Sequence, residues 1–184
     1  MKIYFELNTT NFSNSYLLVN EISHGALLID PAELSEKTLL RIEKLQCTLS
    51  AILLTSNEKA HRTFIDTIEK IYKPKIYSSA SLTSPTISQS GRFREAGFTI
   101  RYKQIAGTSE DAIIYKIGNV LFTGKILCAG TIGNAASSYA ELTLRANIAQ
   151  KIFSEEDASI IMPYFGPPSS IESEKQFNIE MKNN

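Results

Sequence analysis

Apolar residues along this chain come in short bursts, and the spacing within each burst changes from one to the next. "KIYFEL" alternates, and "SYLLVN" and "GALLIDP" run continuously apolar, with the β-branched and aromatic residues that suit strands. "AELSEKTLLRIEKL" places Leu34, Leu39, Leu40, Ile42 and Leu45 at helical spacing, which predicts an amphipathic helix. "LSAILLT" then reads as a buried strand, "AHRTFIDTIEKIY" as a second helix, and "PKIYSSA" as a strand opened by Pro74. "SLTSPTISQSGRFREAG" is rich in Ser, Thr, Pro and Gly and predicts a short helix mixed with loop. "FTIRYKQI", "DAIIYKIG" and "NVLFTG" resume the strands, the last two joined by a hairpin signal. "SSYAELTLRANIAQKIF" predicts a long helix with Leu142, Leu144, Ile148 and Ile152 on its apolar side. "ASIIMPYFG" is a final strand before a Pro/Gly loop, and "SSIESEKQFNIEMKNN" a polar, helical tail. This order predicts an α/β protein with mixed sheets and outer helices.

Length and charge narrow the partners more than the fold. The 184 residues suit a single domain, 1–184, with one substantial core. Lys plus Arg and Asp plus Glu are each 19, so the formal net charge is zero. Such a chain has no global attraction to nucleic acid or to an anionic membrane, and neither is expected as a partner. No apolar run is long enough to span a bilayer, and "MKIYFELNTTNFSNSYLL" lacks the apolar core of a secretory signal. Cys47 and Cys128 form no C-x-x-C pair, so reduced thiols in a cytoplasmic protein are expected.

Three stretches carry a more specific reading: "SYLLVNEISHGALLIDPAE" with "AILLTSNEKAH" after a helix, then "NVLFTGKILCAGTIGNA", then "IIMPYFGPPSSIESEKQFN". Together, in this order, they resemble the metallo-β-lactamase superfamily, most closely its glyoxalase II-like hydrolases. The resemblance covers nearly the whole chain. It implies an αββα sandwich, with two mixed sheets face to face and helices on both outer faces. Members of that family hold one or two metal ions, usually zinc, that turn a bound water into a nucleophile.

The same resemblance allows each metal-ligand position to be checked. Aligned on Thr55, the family's His-x-His-x-Asp-His motif falls on Ser56, Glu58, Ala60 and His61. The next histidine falls on Thr108, the bridging aspartate on Lys125 and the terminal histidine on Phe165. Of these seven positions His61 alone keeps its family residue. A zinc site needs three or four converging N, S or O donors, and an ammonium at the bridging position repels a dication. The family's zinc is therefore not expected here, and these residues mark a vestigial site.

Loss of a metal leaves a polar hole that the fold must fill or satisfy. One expectation is that the charged ends of Glu58 and Lys125 meet and replace the metal cluster. Another is that Phe165 and Tyr164 plug the cleft with ring surface. His61 is a leftover ligand, a general base or a hydrogen-bonded structural residue. Gly124, Gly130 and Gly133 match no phosphate-loop spacing and read as turn glycines. Three functions follow. The first is a non-catalytic binding or interaction protein, as a homo-oligomer or a partner of an active homologue. The second is a hydrolase of thioester or ester-type substrates rebuilt around Glu58, His61, Lys125 and Tyr164. The third is a sensor of an unidentified small molecule.

Overall fold

The computed structural model describes residues 1–9, 11–32, 35–56, 59–79, 90–108 and 112–182, leaving aside the side chains of 59–64. Two sheets face each other. The first has the order β1 (Lys2–Leu7), β2 (Asn14–Val19), β3 (Gly25–Ile29), β4 (Thr48–Leu53), β5 (Lys75–Tyr77). β1 to β3 are antiparallel neighbours, whereas β3, β4 and β5 run parallel, joined by α1 (Glu36–Lys44) and α2 (Lys59–Tyr72).

The second sheet is built from β6 (Ser90–Glu95), β7 (Phe98–Gln104), β8 (Ile113–Ile117), β9 (Val120–Gly124), β12 (Ile160–Pro163) and β13 (Ser169–Ser170). Its spatial order is β13-β12-β9-β8-β7-β6, with only β12 and β9 parallel. A small hairpin, β10 (Leu127–Cys128) and β11 (Thr131–Ile132), folds over one end of β9. α3 (Ser138–Asn147), a π-helical turn (Ile148–Ile152), α4 (Ile171–Phe177) and α5 (Ile179–Lys182) complete the chain.

Side-chain alternation explains why the inner strands read as unbroken apolar runs. Tyr16, Leu18, Leu27, Ile29, Ala51 and Leu53 point between the sheets and meet Ile100, Ile113, Tyr115 and Phe122. Their neighbours Leu17, Val19, Ala26, Leu28 and Ile52 point outward and meet Ile42 of α1 and Ile65 and Ile68 of α2. On the far side, Ile114, Leu121 and Ile161 meet Leu144, Ile148, Ile152 and Ile171. Strands buried on both faces have no polar side to show. The result is the expected αββα sandwich, helix layer, sheet, sheet, helix layer.

The sequence reading departs from the structure at four places. Ser90–Glu95 is a strand, not helix or loop; its Ser, Gly and Arg residues hide a half-buried alternation that pairs with β7. Leu40 and Leu142 are 56% and 66% exposed, outside the apolar faces expected of their helices. The expected long helix changes type after Asn147, where Phe153 N–H bonds to Ile148 O five residues back. Leu144, Ile148 and Ile152 repeat every fourth residue, slightly more than the 3.6 of an α-helix, and the wider π turn keeps the last one facing the sheet. The polar tail is two short helices broken at Asn178, whose backbone is extended.

Candidate functional site

The corner after β4 is fixed by a residue the strand pattern treats as a simple turn. Asp30 ends the neighbouring β3 with a left-handed backbone, φ 46°, and is buried. Aspartate tolerates this conformation better than most residues. Its carboxylate accepts the backbone N–H and the hydroxyl of Thr55, each at 2.7 Å. Thr55 O in turn accepts Ile113 N–H at 2.9 Å, which ties this corner to the second sheet. The "LLIDP" run carried the only signal of this clamp.

β9 brings the next residue to the same place. Gly124 has φ 57°, and a Cβ there would lie 2.3 Å from Thr55 Oγ1. Only glycine allows that approach, and it delivers Lys125 beside Thr55 and Ser56. The third contributor is the loop after β12. Tyr164 N–H donates to Gly124 O at 2.8 Å, and Tyr16 O–H donates to Pro163 O at 2.6 Å. The buried Asn14 amide donates to Pro163 O at 2.9 Å and to Gly166 O at 2.7 Å, so β2 sets the shape of the loop.

These pieces surround a partly open cavity of about 580 Å³. Thr55, Ser56, Thr108, Lys125, Cys128 and Asn134 supply its polar lining; Ala112, Ile126, Ile132 and Phe165 are apolar walls. The β10–β11 hairpin closes one side and is held from below. Glu174 accepts Gly130 N–H, and Glu180 accepts Ile132 N–H at 2.6 Å, both from the C-terminal helices. Gly133 packs so closely that a Cβ would lie 2.6 Å from Lys125 O and 3.0 Å from Thr108 Cγ2.

Of the residues marked from sequence, Ser56, Thr108, Lys125 and Phe165 do converge on one cavity. Tyr164 is 2% exposed, with its ring edge-to-face on Phe165 at a centroid distance of 4.7 Å. The two rings do not fill the cavity: Tyr164 is buried and absent from its described lining, whereas Phe165 is a 37%-exposed wall. Lys125 Nζ stands 5.3 Å from the centroid of each ring, within reach of the negative ring faces. Ala60 and His61 fall in the first turn of α2, with side chains outside the described set. Glu58, and with it the Glu58–Lys125 ion pair, lies outside the described residues.

Asp30, Asn14, Cys128 and Asn134 were not marked as site residues from sequence. Burial pushes the Cys128 thiol up, and the Phe165 backbone N–H and Lys125 offset this only in part, so the group stays protonated. Thr108 Oγ1 is buried and has no hydrogen-bond partner among the described residues. No three His, Cys, Asp or Glu among the described residues gather where a metal could sit. Neutral hydroxyls, an amide, a protonated thiol and an ammonium are the donors on the described lining, and that set does not fit a zinc ion.

Comparison with known proteins shows a shared fold. No protein-family profile matches the chain. It is 30% identical over 179 residues to an uncharacterised protein of Treponema pallidum, covering 92% of this chain and 94% of that one. It is 26% identical over 211 residues to a probable metallo-hydrolase of Streptococcus pyogenes, covering 97% of this chain and 89% of that protein. Among solved structures, BLEG-1 B3 metallo-β-lactamase superposes with a TM-score of 0.84 at 21% identity, over 99% of this chain and all of that one.

Proposed function

The chain has the metallo-β-lactamase fold, and we propose that it is a non-catalytic member of the metallo-β-lactamase superfamily, a pseudoenzyme that binds a small molecule without a metal. Its motifs sit best in the glyoxalase II-like branch. The observation that carries the proposal is the lining of the cavity. Ser56, Thr108, Lys125 and Phe165 stand together where the resemblance puts metal ligands, and none offers an imidazole or a carboxylate. The space is kept, because the Asp30–Thr55 clamp and the Asn14-held loop still frame it. A cavity of this size with a few polar groups and apolar walls suits a small ligand better than a flat protein contact.

Elemental analysis of protein purified without chelators tests this. The expected result is far less than one equivalent of zinc, iron or manganese per chain; a stoichiometric content of any of them overturns the proposal. The open cavity also supports a second reading, a remodelled hydrolase of thioester or ester-type substrates. A lysine beside hydroxyls can take part in acid–base work. Turnover of a thioester, lactone or phosphodiester panel by metal-free protein, lost in Lys125→Ala, would establish it in place of the first.

A further inference from the structure

The sheet edges of this sandwich are not equivalent, and one of them is self-complementary. We infer that β1 is an interface for a second copy of the chain: two β1 strands pair antiparallel about a two-fold axis at Tyr4 and join the two five-stranded sheets into one. Four strands lie at sheet edges. β5 and β13 are three and two residues long, short templates for another strand. β6 carries the exposed Arg92 and Arg94, so pairing with its own copy would set arginine against arginine. β1 has six residues, no proline and no bulge, the features of an edge open to another chain.

The register fixes which backbone groups face outward. Leu7 pairs with Asn14, and one step on, Asn8 N–H donates to Ser13 O at 2.8 Å. Hydrogen-bonded pairs alternate along an antiparallel ladder, so Lys2, Tyr4 and Glu6 bond to β2. The N–H and C=O groups of Ile3, Phe5 and Leu7 therefore point to the open edge. The far side of β2 agrees: Asn20 N–H donates to Gly25 O, which assigns the even residues of β2 to β3 and leaves the odd ones for β1. With the axis at Tyr4, Ile3 of one copy meets Phe5 of the other, and the two such pairs exchange four backbone hydrogen bonds.

Side chains select this register. Ile3 packs on the inter-sheet core and the Phe5 ring lies 6.0 Å from Tyr16, while Phe5 and Leu7 stay nearly half exposed. Pairing sets Ile3, Phe5 and Leu7 of both copies along one face. On the other face it sets Lys2 opposite Glu6 of the second copy, twice over. The Glu6 carboxylate accepts the Thr38 hydroxyl and has no ion pair among the described residues. Lys2 bonds the exposed Glu21 at 2.7 Å, and an ammonium with three donors can take a second carboxylate as well. The axis also brings a second Tyr4 beside the groove of about 590 Å³ that Tyr4 forms with Leu40 and Arg41 of α1, where Leu40 is exposed in the single chain. Opposite charges matched to their own copies are the mark of an isologous contact.

Sedimentation equilibrium of the full chain at about 1 to 500 μM tests this, the range for an interface of modest area. A reversible dimer is expected. Lys2→Glu and Glu6→Lys should each weaken it by about tenfold or more, and the double variant should recover to within about threefold of the unaltered chain. Phe5→Pro removes only an outward N–H and should weaken the dimer by about tenfold beyond Phe5→Ala, which loses the ring but keeps that donor. Circular dichroism checks that each variant folds. If Glu6→Lys does not fold, the comparison of Phe5→Pro with Phe5→Ala still decides. A chain that stays monomeric throughout the range overturns the inference. So does a dimer equally strong in Phe5→Pro and Phe5→Ala, or a folded double variant no stronger than the single ones.

Discussion

Lys116 and Lys125 lie on adjacent strands of the second sheet or just past their ends, and the protein treats them in opposite ways. Lys116 is buried, its Nζ 2.8 Å from Glu155 Oε2. The same carboxylate takes Lys103 at 2.7 Å and Arg101 at 2.9 Å, so three cations from β7 and β8 are closed around one acid. Around Lys125 the described structure places two aromatic rings, hydroxyls and a cavity of about 580 Å³. The first arrangement satisfies charge within the fold and holds the segment after the π turn against the sheet. The second sets a lysine on the wall of a cavity large enough for a small molecule. A lysine in a sheet is thus structural or functional according to what the fold has brought to it.

The largest expected effect lies at the closed cluster. Glu155→Ala strands three cations, one of them buried, and should cost about 3 kcal/mol or more in urea unfolding. Acid gives an independent measure of the same contact. Burial alone would push the Glu155 carboxyl up, but hydrogen bonds from Lys103 and Lys116 outweigh it and hold the group at about 2, below its ordinary 4.5. A carboxyl lowered in the folded state stabilises fully above its unfolded value and loses that contribution as pH falls through the folded one. Stability should therefore drop by up to about 3 kcal/mol between pH ~4.5 and ~2, and Glu155→Gln should flatten that slope. An unchanged acid limb in Glu155→Gln would mean the cluster is not closed as described.

A smaller effect is expected where the cavity meets the frame. Gly124→Ala places a Cβ 2.3 Å from Thr55 Oγ1 on a backbone at φ 57°. Left-handed strain and the clash together should cost about 2 kcal/mol. The clash falls on the Thr55 hydroxyl that Asp30 holds, so coupling is expected: in a Thr55→Ala background the penalty should shrink, because the nearest crowding atom, Oγ1 at 2.3 Å, is gone. Equal penalties in both backgrounds would separate the glycine from the clamp.

Much of the frame was legible before any coordinates. Continuous apolar runs at "SYLLV", "GALLI" and "AILL" announced strands covered on both faces, and the three motif stretches placed those strands in a sandwich. Ser90–Glu95 was not legible because an edge strand shows only half an alternation, and glycine and arginine obscured that half. At the site, substitutions at Ser56, Thr108, Lys125 and Phe165 could be read one by one, since each follows a recognisable strand end or loop. Their convergence on an open cavity could not, because it depends on where Tyr164 goes. A Tyr-Phe pair reads as two plugs, yet Asn14 and Tyr16, about 150 residues earlier, bond to Pro163 O and fix the loop in which Tyr164 is buried and Phe165 forms a wall. Asp30 was hidden for a similar reason: a residue before proline reads as a turn, and its clamp on Thr55 exists only once two parallel strands lie side by side.

The smallest expected effect sharpens the comparison most. If Lys125 were structural like the Glu155 cluster, Lys125→Met would cost several kcal/mol, as breaking a closed charge cluster does. If its role is to face a cavity, the ring contacts it gives up are worth about 0.5–1 kcal/mol, the methionine stem can pack on the same rings, and the total loss should stay well below that of Glu155→Ala. Urea unfolding of Lys125→Met beside Glu155→Ala gives both numbers from one experiment. A midpoint barely moved by the first and lowered strongly by the second is the expected pair. A Lys125→Met loss equal to that of Glu155→Ala would mean that Lys125 is a structural charge. The cavity would then have to be explained without it, since a residue that holds the fold together is not at liberty to exchange its contacts for those of a ligand.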